Sequence, residues 1–170
     1  MCFLNSKNVA SVNLNMVFKD FRARIRFMGS DLRVGDIMTK NVIVVPFGNT
    51  ILDVATLMKK HSIGSVIIVQ DKAGKHAKGI ITERDIVYKV ISKGKDPYKA
   101  YVEKIMSSPL RVVKPETTIE DAAKAMKENK IKRLPVVNED NELIGILSEG
   151  DIMKIFPAVI DLIEEKATLS

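Results

Sequence analysis

The chain has 170 residues, 46% hydrophobic and 28% charged, with a formal net charge of +6; that is room for one good core or two small ones sharing an interface, in a composition neither disordered nor fibrous. No apolar run reaches the roughly 18 residues needed to cross a bilayer. Cys2 is the one cysteine, which excludes an internal disulfide and a cysteine-built zinc site and fits a reducing cytoplasm.

Residues 1–31 form an N-terminal basic arm. Over residues 1–30, Lys7, Lys19, Arg22, Arg24 and Arg26 stand against Asp20 alone, so that stretch holds +4 of the net charge and leaves only +2 elsewhere. That remainder is too small to imply a phosphate-binding face by itself. Within the arm, "FKDFRARIRFM" interleaves Phe and Ile with basic residues, a pattern shared by transit peptides and surface-seeking amphipathic stretches. We expect instead a loosely attached arm, or a natural start at Met28.

From residue 32 onward the elements come in order. Val42–Val45, closed by Pro46, reads as a short strand. Ile51, Val54, Ala55 and Met58 follow at i, i+3, i+4, i+7 on one helical face, with Thr50 and Asp53 spaced as a cap. Ser65–Val69 is a buried-type strand, "DKAGKHAK" a polar turn, and Lys78–Ile81 the return strand. A second helix carries Ile86, Val87, Val90 and Ile91.

The succession then repeats. At an offset of 68, Ile37, Met38, Val44, Val45, Thr50, Ile51, Asp53, Ala55, Met58, Ile63 and Val69 recur as Ile105, Met106, Val112, Val113, Thr118, Ile119, Asp121, Ala123, Met126, Ile131 and Val137. Two extra residues in the first polar turn reduce the offset to 66, after which Gly79, Ile80, Glu83, Asp85 and Ile86 match Gly145, Ile146, Glu149, Asp151 and Ile152. The second copy thus predicts a strand at Leu110–Val113, a helix on Ile119, Ala122, Ala123 and Met126, and a strand at Leu134–Val137. After the turn "NEDNE" come a strand at Leu143–Leu147 and a helix bearing Ile152, Met153, Ile155 and Phe156. The repeated methionines read as core. The fold class is α+β or α/β: two β-α-β-β-α units, each marginal alone, packed sheet to sheet about a pseudo-two-fold axis. The boundaries are 32–92 for the first unit, 93–156 for the second with its linker, and 157–170 for a C-terminal helical tail whose Val159, Ile160, Leu162 and Ile163 add apolar surface.

Thr82-x-x-Asp85 and Ser148-x-x-Asp151 each suit a helix cap, and as isolated patterns they need no other explanation. Their surroundings suggest more. Gly79 and Gly145 stand three residues before each hydroxyl and permit close backbone approach. A helix N-terminus favours a phosphate, and a carboxylate beside it can accept from ribose hydroxyls. Lys132 and Arg133 precede a buried strand, where a solvated basic turn is the usual reading; their first-copy counterparts are the uncharged Gly64 and Ser65, while Arg84 stands where the second copy has Gly150. His61 and His76 lack a plausible nucleophile or metal partner, and "GKHAKG" lacks the spacing of a phosphate loop. We therefore expect neither an enzyme nor a metal site.

The motifs "DIMTKNVIVV", "HSIGSVIIV" and "GIITERDIV", with their second copies "KIMSSPLRVV", "NKIKRLPVV" and "GILSEGDIM", resemble a tandem pair of CBS domains over residues 32–156, similar to the stand-alone members of that family. The resemblance implies a regulatory sensor that clasps AMP, ADP, ATP or S-adenosylmethionine between its sheets, needs no cofactor, and passes ligand state to a partner protein. It implies one site built from Thr39, Val42, Ile43, Ile63, Gly64, Lys132, Arg133, Ser148 and Asp151. A reciprocal site joins Ser65, Thr82, Arg84, Asp85, Ser107, Leu110, Arg111 and Ile131. Of the two, the site with Lys132 and Arg133 is expected to suit polyphosphate better. Where the family often has a proline after the small residue, this chain has "GSVIIV". Apolar helix faces predict a homodimer. The alternative reading is a nucleic-acid-associated dimer using the basic arm.

Overall fold

The computed structural model describes residues 32–70 and 75–155. The arm, the tip of the first polar turn, Phe156 and the tail lie outside the described residues.

In the first repeat, α1 (Val34–Ile37) leads to β1 (Val44–Pro46), α2 (Ile51–His61), β2 (Ser65–Val69), β3 (Ala77–Thr82) and α3 (Glu83–Lys89). Helix α2 begins where the sequence places it. Thr50 Oγ1 accepts the Asp53 N–H at 3.3 Å, and Asp53 Oδ2 accepts the Thr50 N–H at 2.8 Å, so two orphan donors are satisfied reciprocally. It ends at Ser62, whose left-handed φ of 51° breaks the helix. Strand β1 runs parallel to β2, and β2 antiparallel to β3, giving the order β1-β2-β3.

The second repeat supplies α4 (Val102–Ile105), α5 (Ile119–Asn129), β4 (Arg133–Val137) and β5 (Leu143–Ser148), followed by α6 over residues 149–155. Its sheet pairs only β4 with β5. The strand expected at Leu110–Val113 is reduced to a single bridge between Val113 and Val136, and prolines are the cause. In the first repeat the Ile67 N–H donates to Ile43 O at 3.1 Å and the Phe47 N–H to Val69 O at 3.0 Å. The matching positions in the second are Pro135 and Pro115, which have no N–H to give. Only the two bonds of Val113, with Pro135 O and Val137 N, remain, each at 3.0 Å.

The second helix of the first repeat is also shorter than its apolar pattern. α3 stops at Lys89 and a 3-10 turn follows over Ile91–Lys93. Val90 is buried, but Val87 and Ile91 are 50% and 55% exposed.

The cores are assembled across the repeats. Val45, Ile51, Val54, Met58, Val66, Ile68 and Ile81 pack with Val102 and Ile105, which precede the second repeat's strands. Conversely Val34, with Ile37 and Met38, packs with Ala122, Met126, Leu134, Val136 and Leu147. Each repeat's lead-in segment is thus exchanged. Thr39 and Ile146 exchange N–H···O bonds at 2.9 Å each way, and Ser107 and Ile80 do the same at 2.9 and 3.1 Å. The two bridges map onto each other through the offsets of the repeat, which is the pseudo-two-fold relation. Strands β2 and β4 are buried on both faces from their second residue onward, as expected when helices cover one side and the other sheet the opposite side. Burial of these apolar faces is the main stabilising contribution.

Candidate functional site

The return strands β3 and β5 end in the two hydroxyl–aspartate pairs. Thr82 Oγ1 accepts from the Asp85 N–H at 3.2 Å, while Asp85 Oδ2 accepts from the Thr82 N–H at 2.9 Å and its hydroxyl at 2.7 Å. Ser148 and Asp151 repeat this at 3.2, 3.0 and 2.6 Å. Each carboxylate therefore caps its helix with one oxygen and keeps the other for a different partner.

Around Asp151 the fold gathers residues from both repeats. Thr39 bridges Ile146 two positions before Ser148, and Arg133 lies opposite Ser148 in the β4–β5 register. Gly64 faces Arg133 so closely that a Cβ there would lie 2.8 Å from its Nη2 and 2.9 Å from Glu83 Oε2. Lys132 pairs with Glu149 at 3.3 Å on the surface, so part of its charge is already answered. Ile43 and Ile63 pack on the first core, and Val42 is half-buried beside them in sequence.

Around Asp85, Ser65 lies opposite Thr82 in the β2–β3 register. Ser107 reaches in from the lead-in segment, its hydroxyl donating to Asp85 Oδ1 at 3.3 Å. Arg84 is exposed on the first turn of α3. Leu110 lines a cavity of about 260 Å³ with Ala77, Lys78, Val112 and Val137, at the opposite end of β3 from Thr82. Arg111 is exposed, and Ile131 packs against the second core.

Two stretches, residues 34–92 and 102–158, match the family described as the CBS domain. The chain belongs to the CBS-domain family. Protein MK0525 of Methanopyrus kandleri is 39% identical over 133 residues, which cover 78% of this chain and 67% of that protein. Among solved structures, this chain is similar to the CBS domain pair of protein MJ0100 in complex with 5'-methylthioadenosine and S-adenosyl-L-methionine. The two share 29% identity at a TM-score of 0.66, over 75% of this chain and 97% of that one. A hexameric CBS-CP12 protein from bloom-forming cyanobacteria is 37% identical at a TM-score of 0.65, over 72% of this chain and 66% of that one.

In this CBS pair, the glycines of the return strands meet protein atoms. A Cβ on Gly145 would lie 2.5 Å from Met38 Sδ, and one on Gly79 would collide with the Met106 side chain. The close approach anticipated for a ligand is thus made by the exchanged lead-in segments.

Sequence reasoning passed over one residue of the first CBS repeat. Lys89 Nζ lies 2.8 Å from Asp85 Oδ1, 2.9 Å from Ser107 Oγ and 3.0 Å from Ile105 O. Its only sequence signal is the acid–base spacing of i, i+4. In the second repeat Asp151 Oδ1 is met instead by Lys154 at 3.2 Å. Burial pushes the Asp85 carboxyl up, but the Lys89 ammonium and the two Thr82 bonds outweigh it and hold the group below the usual carboxylate value. For Asp151, burial is likewise outweighed by the Ser148 bonds and Lys154. Both groups are ionised at neutral pH.

Proposed function

We propose that this CBS pair is a regulatory sensor that binds an adenine nucleotide or related adenosyl ligand and passes ligand state to a partner protein. The observation that carries the reading is the convergence of Thr39, Gly64, Arg133, Ser148 and the ionised Asp151 at the end of β5. A carboxylate there accepts from ribose hydroxyls, while Arg133 and Lys132 offer forked and point-charge contacts to phosphate. The backbone and apolar edges near Val42, Ile43 and Ile63 suit adenine. In the same way Ser65, Thr82, Asp85 and Ser107 outline the reciprocal site, with Arg84 exposed beside them, while Leu110 lies toward the opposite end of β3. The adenosyl compounds bound by the similar MJ0100 pair support the ligand class. The role is non-catalytic and needs no cofactor, and the lone Cys2 fits the cytoplasm.

The test is a thermal-shift panel of AMP, ADP, ATP, S-adenosylmethionine and 5'-methylthioadenosine against guanine nucleotides. Stabilisation follows ligand concentration over dissociation constant, so adenosyl compounds alone are expected to raise the midpoint. Equal shifts with guanine nucleotides, or none at millimolar adenosyl ligand, would reject the reading.

A homodimer completes the proposal. Val87, Tyr88 and Ile91 on the first repeat's second helix and turn, and Met153 on α6, are each half exposed or more, a surface that a second copy meeting through the helices would cover. Light scattering is expected to give twice the chain mass. A monomer mass independent of concentration contradicts it.

A further inference from the structure

We propose that Lys89 closes the Asp85 site to ribose-bearing ligands, so that each chain binds a single adenosyl ligand, at Asp151. The inference rests on the adenosyl-ligand reading above and adds that the two sites are not equivalent.

A carboxylate offers about four acceptor positions. Asp85 has all four in use: Oδ2 takes the Thr82 N–H and hydroxyl, and Oδ1 takes Lys89 Nζ and the Ser107 hydroxyl. The ammonium is equally committed. Its three donors go to Asp85 Oδ1, Ser107 Oγ and Ile105 O, all within 2.8–3.0 Å, which fixes it at the position a ribose diol would take. The Lys89 side chain is 39% exposed. A diol can reach Asp85 Oδ1 only by displacing it, and displacement breaks the three bonds that hold the ammonium.

The second repeat lacks this arrangement. Lys89 corresponds to Ile155 at the offset of 66, and Ser107 to Thr39 at the offset of 68. Among the described residues, Asp151 Oδ1 accepts only from Lys154 Nζ, at 3.2 Å, on a side chain 79% exposed. One acceptor position on Oδ1 is open, and a solvent-exposed lysine moves aside at little cost. Arg133 and Lys132, which would meet a phosphate, stand at this same site. A charge-assisted hydrogen bond forgone weakens binding about ten- to hundredfold, enough to leave one site empty at concentrations that fill the other.

Isothermal calorimetry on the full chain with AMP, ATP and S-adenosylmethionine tests the inference. The expected stoichiometry is one ligand per chain for whichever compound binds. Lys89→Met, which keeps the straight apolar stem and removes the charge, is expected to raise it to two. Ile155→Lys, which transplants the ammonium, is expected to weaken the remaining site about tenfold or more. Two sites of like affinity in the unmodified chain overturn the inference while leaving the function intact, as does a single site in a folded Lys89→Met. Should that variant fail to fold, the unmodified stoichiometry and Ile155→Lys decide; unchanged affinity in Ile155→Lys also overturns it. Absence of binding by every form rejects the adenosyl-ligand reading itself, and the inference with it.

Discussion

The two carboxylate oxygens of Asp151 have different surroundings. Oδ2 holds the start of α6 through Ser148, and Oδ1 faces outward toward Lys154. Asp151→Ala is expected to weaken an adenosyl ligand by about 1–3 kcal/mol, the scale of a charge-assisted bond lost. Unchanged affinity by calorimetry removes Asp151 from the site. A second consequence concerns acid. Asp85 and Asp151 are both held below the usual carboxyl value, so the stability they contribute is fully present above the unfolded value of about 3.9 and is lost as pH falls through their folded values. The melting temperature should hold above roughly pH 5 and fall below pH 4. Asp85→Asn should flatten that descent, and an acid limb of unaltered slope would contradict the assignment. At this scale the sequence was half legible. The hydroxyl–aspartate spacing announced the caps, whereas Lys89 at i+4 looks like any surface helix pair until Ser107 and Ile105 are seen to enclose its ammonium.

Helices α2 and α5 were the most readable elements. Each repeats an apolar face behind a threonine cap, and Ile51, Val54, Met58, Ala122 and Met126 are indeed buried. The strand expected at Leu110–Val113 failed for a reason also written in the chain, though not in the strand itself. Its ladder needs N–H groups from positions 115 and 135, and both are proline. A pattern of β-branched residues reports what faces the core but says nothing of whether the neighbour can donate. The elements also meet at a tight point that a mutation can probe. Gly79 on β3 lies against Met106, and an added Cβ would approach even the Met106 Cβ to 2.9 Å, too near the backbone for the flexible sulfur end alone to yield. Gly79→Ala is expected to cost about 1–3 kcal/mol by overpacking, seen as a lower urea midpoint at unchanged slope. An unaltered midpoint would mean that the lead-in segment yields freely.

For the whole molecule, the repeat in the sequence marks units of inheritance, and the structure shows different units of packing. The first core takes Val102 and Ile105 from beyond the end of its own repeat, and the second takes Val34 from the lead-in of the first. Periodicity along a chain does not tell which copy a lead-in segment joins, so this exchange was invisible until the bridges Thr39–Ile146 and Ser107–Ile80 were seen. It makes a direct prediction for fragments. A peptide of residues 40–107 contains the first core entire, and one of residues 34–92 lacks its wall of Val102 and Ile105. By circular dichroism and NMR dispersion the longer-reaching fragment is expected to be the more ordered, although it cuts across the sequence repeat. Equal order in the two would show that the exchanged segment contributes little.

The same swap bears on ancestry. A forebear carrying one copy would have had a sheet without its wall and a stub of helix without a bed, each supplied by a sister molecule. With both copies on one chain, wall and bed are always at hand, so the two halves can differ, as at Lys89 and Ile155, without coming apart.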